Sequence, residues 1–180
     1  MTPENRLRLR AQFCIIILFL YANLTPEEGP DLSQQQPTAY HGDQPYVFIS
    51  YAHKDSETVH HVVRRLQQDG YRVWYDEGIA PGSNWDVYIS EHLDRCSNVL
   101  SFVSKAYVKS PNCRDELALS RRKGKPMNLI FLEDVQMTPG LKMRYGRIFA
   151  LFFRQMPEEE FFEKLYRTDA MAAAREGAAV

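Results

Sequence analysis

The sequence predicts an α/β fold, a doubly wound parallel sheet of about five strands. Short, dense apolar runs alternate with segments whose apolar residues recur at helical spacing. The connections between them are short, which is how strand–helix–strand units are joined. A chain of 180 residues with a 44% apolar share can build one core of ordinary size, with tails to spare.

The elements follow in order. Tyr46–Tyr51 is an apolar run of the kind buried on both faces of a parallel sheet. In Asp55–Asp69, Val59, Val62, Val63 and Leu66 fall at i, i+3, i+4 and i+7 and form a helix stripe. Asp55 or Ser56 is placed to cap its start, and Gly70 to end it. Tyr71–Tyr75 reads as the second strand, and Trp85, Tyr88, Ile89 and Leu93 mark the second helix. Asn98–Val103 is the third strand. A third helix is expected from Asn112 to about Lys123, its basic end suiting the helix dipole. Met127–Leu132 and Arg147–Phe152 complete the strands. Pro157 opens a last helix, with three glutamates in its first turn. Five strands suggest a flavodoxin-like order, in which ligands bind outside the carboxyl ends of the strands. Ser50, Tyr51, Asp76 and Ser104 all fall at those ends, as does the approach to Glu116.

The flanks have a different character. Arg6, Arg8 and Arg10 precede an apolar run, Phe13–Tyr21, too short for the roughly 20 residues of a spanning helix. Its order resembles a signal peptide, but Ala22-Asn23-Leu24 is a poor cleavage site. Residues 1–24 are therefore expected to form an apolar helix packed on a partner. A membrane-surface anchor over 13–24 and a misassigned start codon are the alternatives. Residues 25–45 read as a Pro-rich linker and 169–180 as a disordered, Ala-rich tail.

A net charge of −1 and a pI near 6.5 give no bulk footprint for nucleic acid. Three cysteines without a Cys-x-x-Cys pair suggest reduced thiols and a cytoplasmic location. The five histidines do not fall at zinc-like spacing with them, so no metal and no resident cofactor are expected.

Three segments carry a more specific signal: Phe48-Ile49-Ser50-Tyr51, the Gly/Pro-punctuated loop Asp76–Ser83, and Cys113-Arg114-Asp115-Glu116 at the start of the third helix. As a set they resemble a Toll/interleukin-1 receptor (TIR) domain of the bacterial, NAD-cleaving type, spanning about Tyr46–Phe153 of a domain placed at 46–168. The resemblance implies that Glu116 is the catalytic carboxylate. It further implies that Ser50, Tyr51, Phe48, His53, Asp76, Trp85, Tyr107 and Cys113 line the NAD+ site, and that the 76–83 loop mediates self-association. Where the family pattern has tryptophan, this chain has Asn112. From local sequence alone Glu116 would read as a solvated first-turn carboxylate; the resemblance reverses that. Phe48, Trp85 and Tyr107 read equally as packing residues, and Arg121, Arg122, Lys123 and Lys125 as a solvated helix end. Cys113 has no histidine placed by sequence to activate it and reads as a buried thiol. Asp115, about 100° round the helix from Glu116, is structural.

The chemistry suits one carboxylate. Nicotinamide leaves NAD+ as a neutral molecule, so no acid is needed, and the positive charge gathering on the ribose is what requires stabilisation. The function the resemblance implies is an NAD+ glycohydrolase or cyclase serving bacterial antiviral defence or signalling, active on assembly and with an effector or sensor protein as a partner. A non-enzymatic TIR adaptor is the alternative. A nucleoside deoxyribosyltransferase-like enzyme is a third reading.

Overall fold

The computed structural model describes residues 36–78, 84–146, 148–168, 171 and 174. The expected N-terminal helix, the first part of the linker and residues 79–83 of the loop lie outside the described residues.

Five strands form one parallel sheet: β1 (Val47–Ser50), β2 (Val73–Tyr75), β3 (Asn98–Val103), β4 (Met127–Phe131) and β5 (Phe149–Phe152). Their order is β2-β1-β3-β4-β5, the flavodoxin-like arrangement. Val47 pairs with Val73 on one side and Asn98 on the other, and Ser50 lies beside Ser101. Helices α1 (Ser56–Gln68), α2 (Trp85–Arg95), α3 (Lys105–Lys109), α4 (Pro111–Arg122), α5 (Pro139–Tyr145) and α6 (Glu158–Tyr166) connect or flank the strands.

The α1 stripe is buried as its spacing requires: Val59, Val62, Val63 and Leu66 belong to the core under β1 and β2. Gly70 closes the helix with φ of +82°, a backbone state that costs glycine least. The start of α1 differs from the expectation. The Asp55 carboxylate does not cap the helix but accepts from the Ser104 hydroxyl at 2.6 Å, tying the end of β1 to the end of β3. The same Ser104 oxygen accepts the amides of Ala106 and Tyr107 and so starts α3. This helix was not visible in the sequence, because five residues are too few to show a stripe. Its end runs into α4, whose first turn is capped by Ser110 Oγ on the Cys113 amide and carries Pro111 at the tolerated first position. The short α5, capped by Thr138, was missed for the same reason.

Both flanks of the domain carry more structure than their composition suggested. The second part of the Pro-rich linker is fastened along β2: the Tyr40 amide donates to the Val73 carbonyl, Tyr75 Oη to the Pro37 carbonyl, and the Ala39 amide to Glu77 at 2.6 Å. An unpaired edge has backbone groups to satisfy, and this segment satisfies some of them. Within the expected disordered tail, Met171 and Ala174 are fully buried in the main core, and the Arg72 amide donates to the Ala174 carbonyl. Tyr40 among polar residues and Met171 among alanines are the available clues. No helix among the described residues is long and apolar enough to cross a membrane.

The burial of Met171 has a measurable consequence. Met171→Ala removes a filled core position and the partner of the Asn98 side-chain amide, which contacts the sulfur at 3.1 Å. Urea denaturation should show a loss of about 2–4 kcal/mol.

Candidate functional site

Three strand ends and the start of α4 converge on the site. β1 alternates its side chains, so Phe48 and Ser50 share one face. Ser50 is nearly fully buried and donates its hydroxyl hydrogen to Glu116 Oε2 at 2.5 Å. That hydrogen being committed, Ser50 Oγ is left to accept from Tyr107 Oη at 3.0 Å. The same phenol hydrogen is shared with the Cys113 carbonyl at 3.2 Å, the second acceptor of a three-centre bond. Tyr107, Ser50 and Glu116 thus form one buried polar cluster joining α3, β1 and α4.

Glu116 sits in the second turn of α4 and is 9% exposed. Burial pushes its pKa from the ordinary 4.5 up to about 7; the Ser50 hydrogen bond opposes that push, and the charges of Asp76 and Asp115 add to it. Asp115, by contrast, is exposed.

Glu116 opens onto a cavity of about 370 Å³ at the carboxyl edge of the sheet. Of the residues expected there, Phe48, Tyr51, His53, Asp76, Trp85 and Cys113 line it. Their roles differ. Phe48 is 1% exposed and packs on Trp74 with ring centroids 4.9 Å apart, so it is foremost a core residue. Tyr51 joins an aromatic cluster with His53, His60 and Tyr75, and its hydroxyl meets His60 Nε2 at 3.3 Å. Burial, with the nearby acids, pushes the Tyr51 phenol up to about 12, so it serves as a neutral hydroxyl. His53 is exposed at the rim. Asp76 accepts the Gly78 amide at 2.9 Å and turns the chain after β2. Trp85 opens α2 and is half-buried. Cys113 is buried, its thiol pushed up to about 11 by desolvation and pointed at the Tyr51 carbonyl. That is the state of an inert thiol. Ser50 and Tyr107 stand behind Glu116 and hold it.

Lys54 and Lys109 also line the cavity and were not singled out from the sequence. Lys54 follows His53 in the turn after β1, so its place was open to inference; Lys109 ends a helix that was not foreseen. A wider groove of about 790 Å³ shares Trp85 and Glu116 with the cavity and runs between α2 and α4, past Arg121 and Arg122 to Tyr145. Lys123 and Lys125 are tied to Asp94 and the Cys96 carbonyl.

The TIR domain family model matches residues 47–166, more than half of the chain. The protein belongs to the TIR domain family. Among solved structures, the TIR domain of a Toll-related receptor from Hydra magnipapillata matches with a TM-score of 0.56 at 17% identity, covering 67% of this chain and 94% of that one. A CMP N-glycosidase from Clostridium botulinum matches with a TM-score of 0.50 at 15% identity, covering 67% of this chain and 97% of that one. Both likenesses are of fold. No curated protein matches the chain at a significant level.

A carboxyl group with a raised pKa in the native state holds its proton more tightly folded than unfolded. Its stabilising contribution is complete below 4.5 and is lost as pH rises through about 7. Glu116→Gln, which cannot ionise, should therefore be more stable than the parent at pH 8 by about 1–3 kcal/mol, with the gap closing by about pH 5. Thermal melts across that range measure it.

Proposed function

We propose that this TIR domain cleaves the ribosyl–nicotinamide bond of NAD+, with Glu116 as the catalytic carboxylate. The single observation that carries the reading is the placing of that side chain. It is nine-tenths buried, hydrogen-bonded by Ser50, and open to a cavity at the carboxyl edge of a doubly wound sheet. A carboxylate kept there with no ion-pair partner among the described residues is costly, and such groups gather at functional sites.

The reaction needs little else. The bond between the ribose anomeric carbon and the pyridinium nitrogen breaks, and both electrons leave with nicotinamide, which departs neutral. An oxocarbenium ion remains on the ribose. The ionised Glu116 stabilises this cation through space in a poorly solvated pocket, where one charge is worth more than in water. Water then adds to the anomeric carbon and loses a proton, giving ADP-ribose; capture by an adenine nitrogen gives the cyclic isomer instead. Ser50 and Tyr107 are positioning residues: they fix the carboxylate and touch no substrate atom. A cavity of about 370 Å³ is at the small end for ligand sites and suits the nicotinamide–ribose end of the molecule. The adenylate end extends into the adjoining groove or against a second copy. Activity that depends on assembly follows, and we place the protein in bacterial antiviral defence or signalling.

The Clostridium botulinum neighbour is a CMP N-glycosidase, and the N-glycosidic bond of CMP is a bond of the same kind. A pyrimidine leaving from CMP needs a proton, whereas nicotinamide leaving from NAD+ does not. The two reactions therefore call for opposite states of the same carboxyl. The second reading is an association module, favoured by the edge strand β5, which exposes Phe149 and Phe152.

Purified protein with NAD+, alone and under crowding, should release nicotinamide. Glu116→Ala should lower the rate by at least about a thousandfold without altering the circular dichroism. In the parent, kcat/KM for NAD+ should rise with pH and level off above the free-enzyme pKa of about 7. A profile that falls over the same range, with CMP consumed and NAD+ spared, would move the assignment to a nucleotide glycosidase. Absence of turnover on both would leave the association module.

A further inference from the structure

The cavity is charged unevenly. Glu116 and Asp76 supply its carboxylates, and Lys54 and Lys109 its ammonium groups. These two lysines differ from others in the described structure. Lys105, Lys123 and Lys164 each face an acid, Glu133, Asp94 and Glu160 respectively. Lys125 is held by two backbone carbonyls. Lys54 and Lys109 have no such partner among the described residues, although acids are close in sequence. Asp55, next to Lys54, is turned inward to the Ser104 hydroxyl.

Topology separates the two signs. β1 lies between β2 and β3, so the ends of β2 and β3 stand roughly 10 Å apart. Asp76 follows β2. Lys109 closes α3, which follows β3. Lys54 lies in the turn after β1, the turn that Asp55 fastens to Ser104 at the β3 end. Glu116 is held at the end of β1 by Ser50. A complementary ligand carries positive charge near the carboxylates and negative charge toward the β3 side.

We infer that Lys54 and Lys109 form a phosphate-binding site at the mouth of the Glu116 cavity, selecting ribosyl substrates phosphorylated at the 5′ position over their unphosphorylated nucleosides. This rests on the reading of Glu116 as the group that acts at the ribose. The 5′ carbon branches from C4′, across the ring oxygen from the anomeric carbon and on the face that carries the base, so a sugar held at Glu116 by its hydroxyl-bearing face extends its phosphate away from the carboxylate. Each ammonium donates to phosphate oxygens as a point charge. Both side chains are exposed, so replacing them leaves the core intact.

The test compares three substrates that share the reacting bond: NAD+, nicotinamide mononucleotide and nicotinamide riboside. In Lys54→Ala/Lys109→Ala, the ratio of kcat/KM for the mononucleotide to that for the riboside should fall about a hundredfold, from roughly tenfold for each of the two lost charge-assisted contacts. NAD+ should follow the mononucleotide. Lys54→Arg/Lys109→Arg should restore most of the ratio. A ratio that stays within about twofold of the parent overturns the inference even while NAD+ is being cleaved.

A binding arm needs no turnover. Calorimetric titration of ADP-ribose into the parent and the double alanine variant should show a loss of about tenfold or more, steeper at low salt. If no substrate is cleaved but this loss is seen, the phosphate site stands and the assigned reaction fails. If the parent binds ADP-ribose no better than adenosine, the phosphate site fails.

Discussion

One interaction organises this protein: the hydrogen bond from Ser50 to the Glu116 carboxylate. It joins the last residue of a central strand to the second turn of the helix that packs across it. A carboxylate removed from water needs compensation, and this one receives a short hydrogen bond rather than a cation. The bond requires β1 to present Ser50 on the α4 face, which its alternation with Phe48 fixes. It requires α4 to begin where it does, which Ser110 and Pro111 fix by capping the first turn. It requires Tyr107 behind the serine, and the amide caps of Ser104 place the helix that carries it. Each of these is a local decision of the chain, and together they set the depth of one side chain.

The arrangement costs the folded state stability. A leucine at the same place would be cheaper to bury. The acid is retained half-ionised near neutrality, at the balance point where a small change in its surroundings moves its charge. Asp76 and Asp115 push toward the protonated form, and Ser50 toward the ionised one. A bound cationic ring would tip the balance further toward ionisation, so a substrate of that kind would prepare the carboxylate that acts on it.

Most of the fold was legible in the sequence because it rests on periodicity. The β1 run and the α1 stripe announced themselves, and Gly70 marked its own turn. What escaped was structure too short for a period or held by partners distant in sequence. The five residues of α3 carry no stripe; their helix exists because Ser104 caps it and because Tyr107 finds Ser50, 57 positions earlier. The fastening of Tyr40 to Val73 depends on the open side of β2, and the burial of Met171 on Asn98 at the start of β3, both of which only the assembled sheet reveals. At the site, the motifs pointed to Glu116 and Ser50, but the separation of roles did not follow from them. Ser50 and Tyr107, expected as contacts, stand behind the carboxylate. Lys54 and Lys109 drew no attention, since a lone lysine in a loop is ordinary until a cavity is found beneath it.

The sheet has two margins, and they are unlike. Residues before β1 and Ala174 near the end of the chain bond to β2 and its approach, whereas β5 carries no strand beyond it among the described residues. Backbone pairing with a second copy is therefore freer at β5 than at β2. Two molecules joined β5 to β5 would each have used that margin, so pairing of this kind closes on a couple, and a longer array would draw on helices and loops.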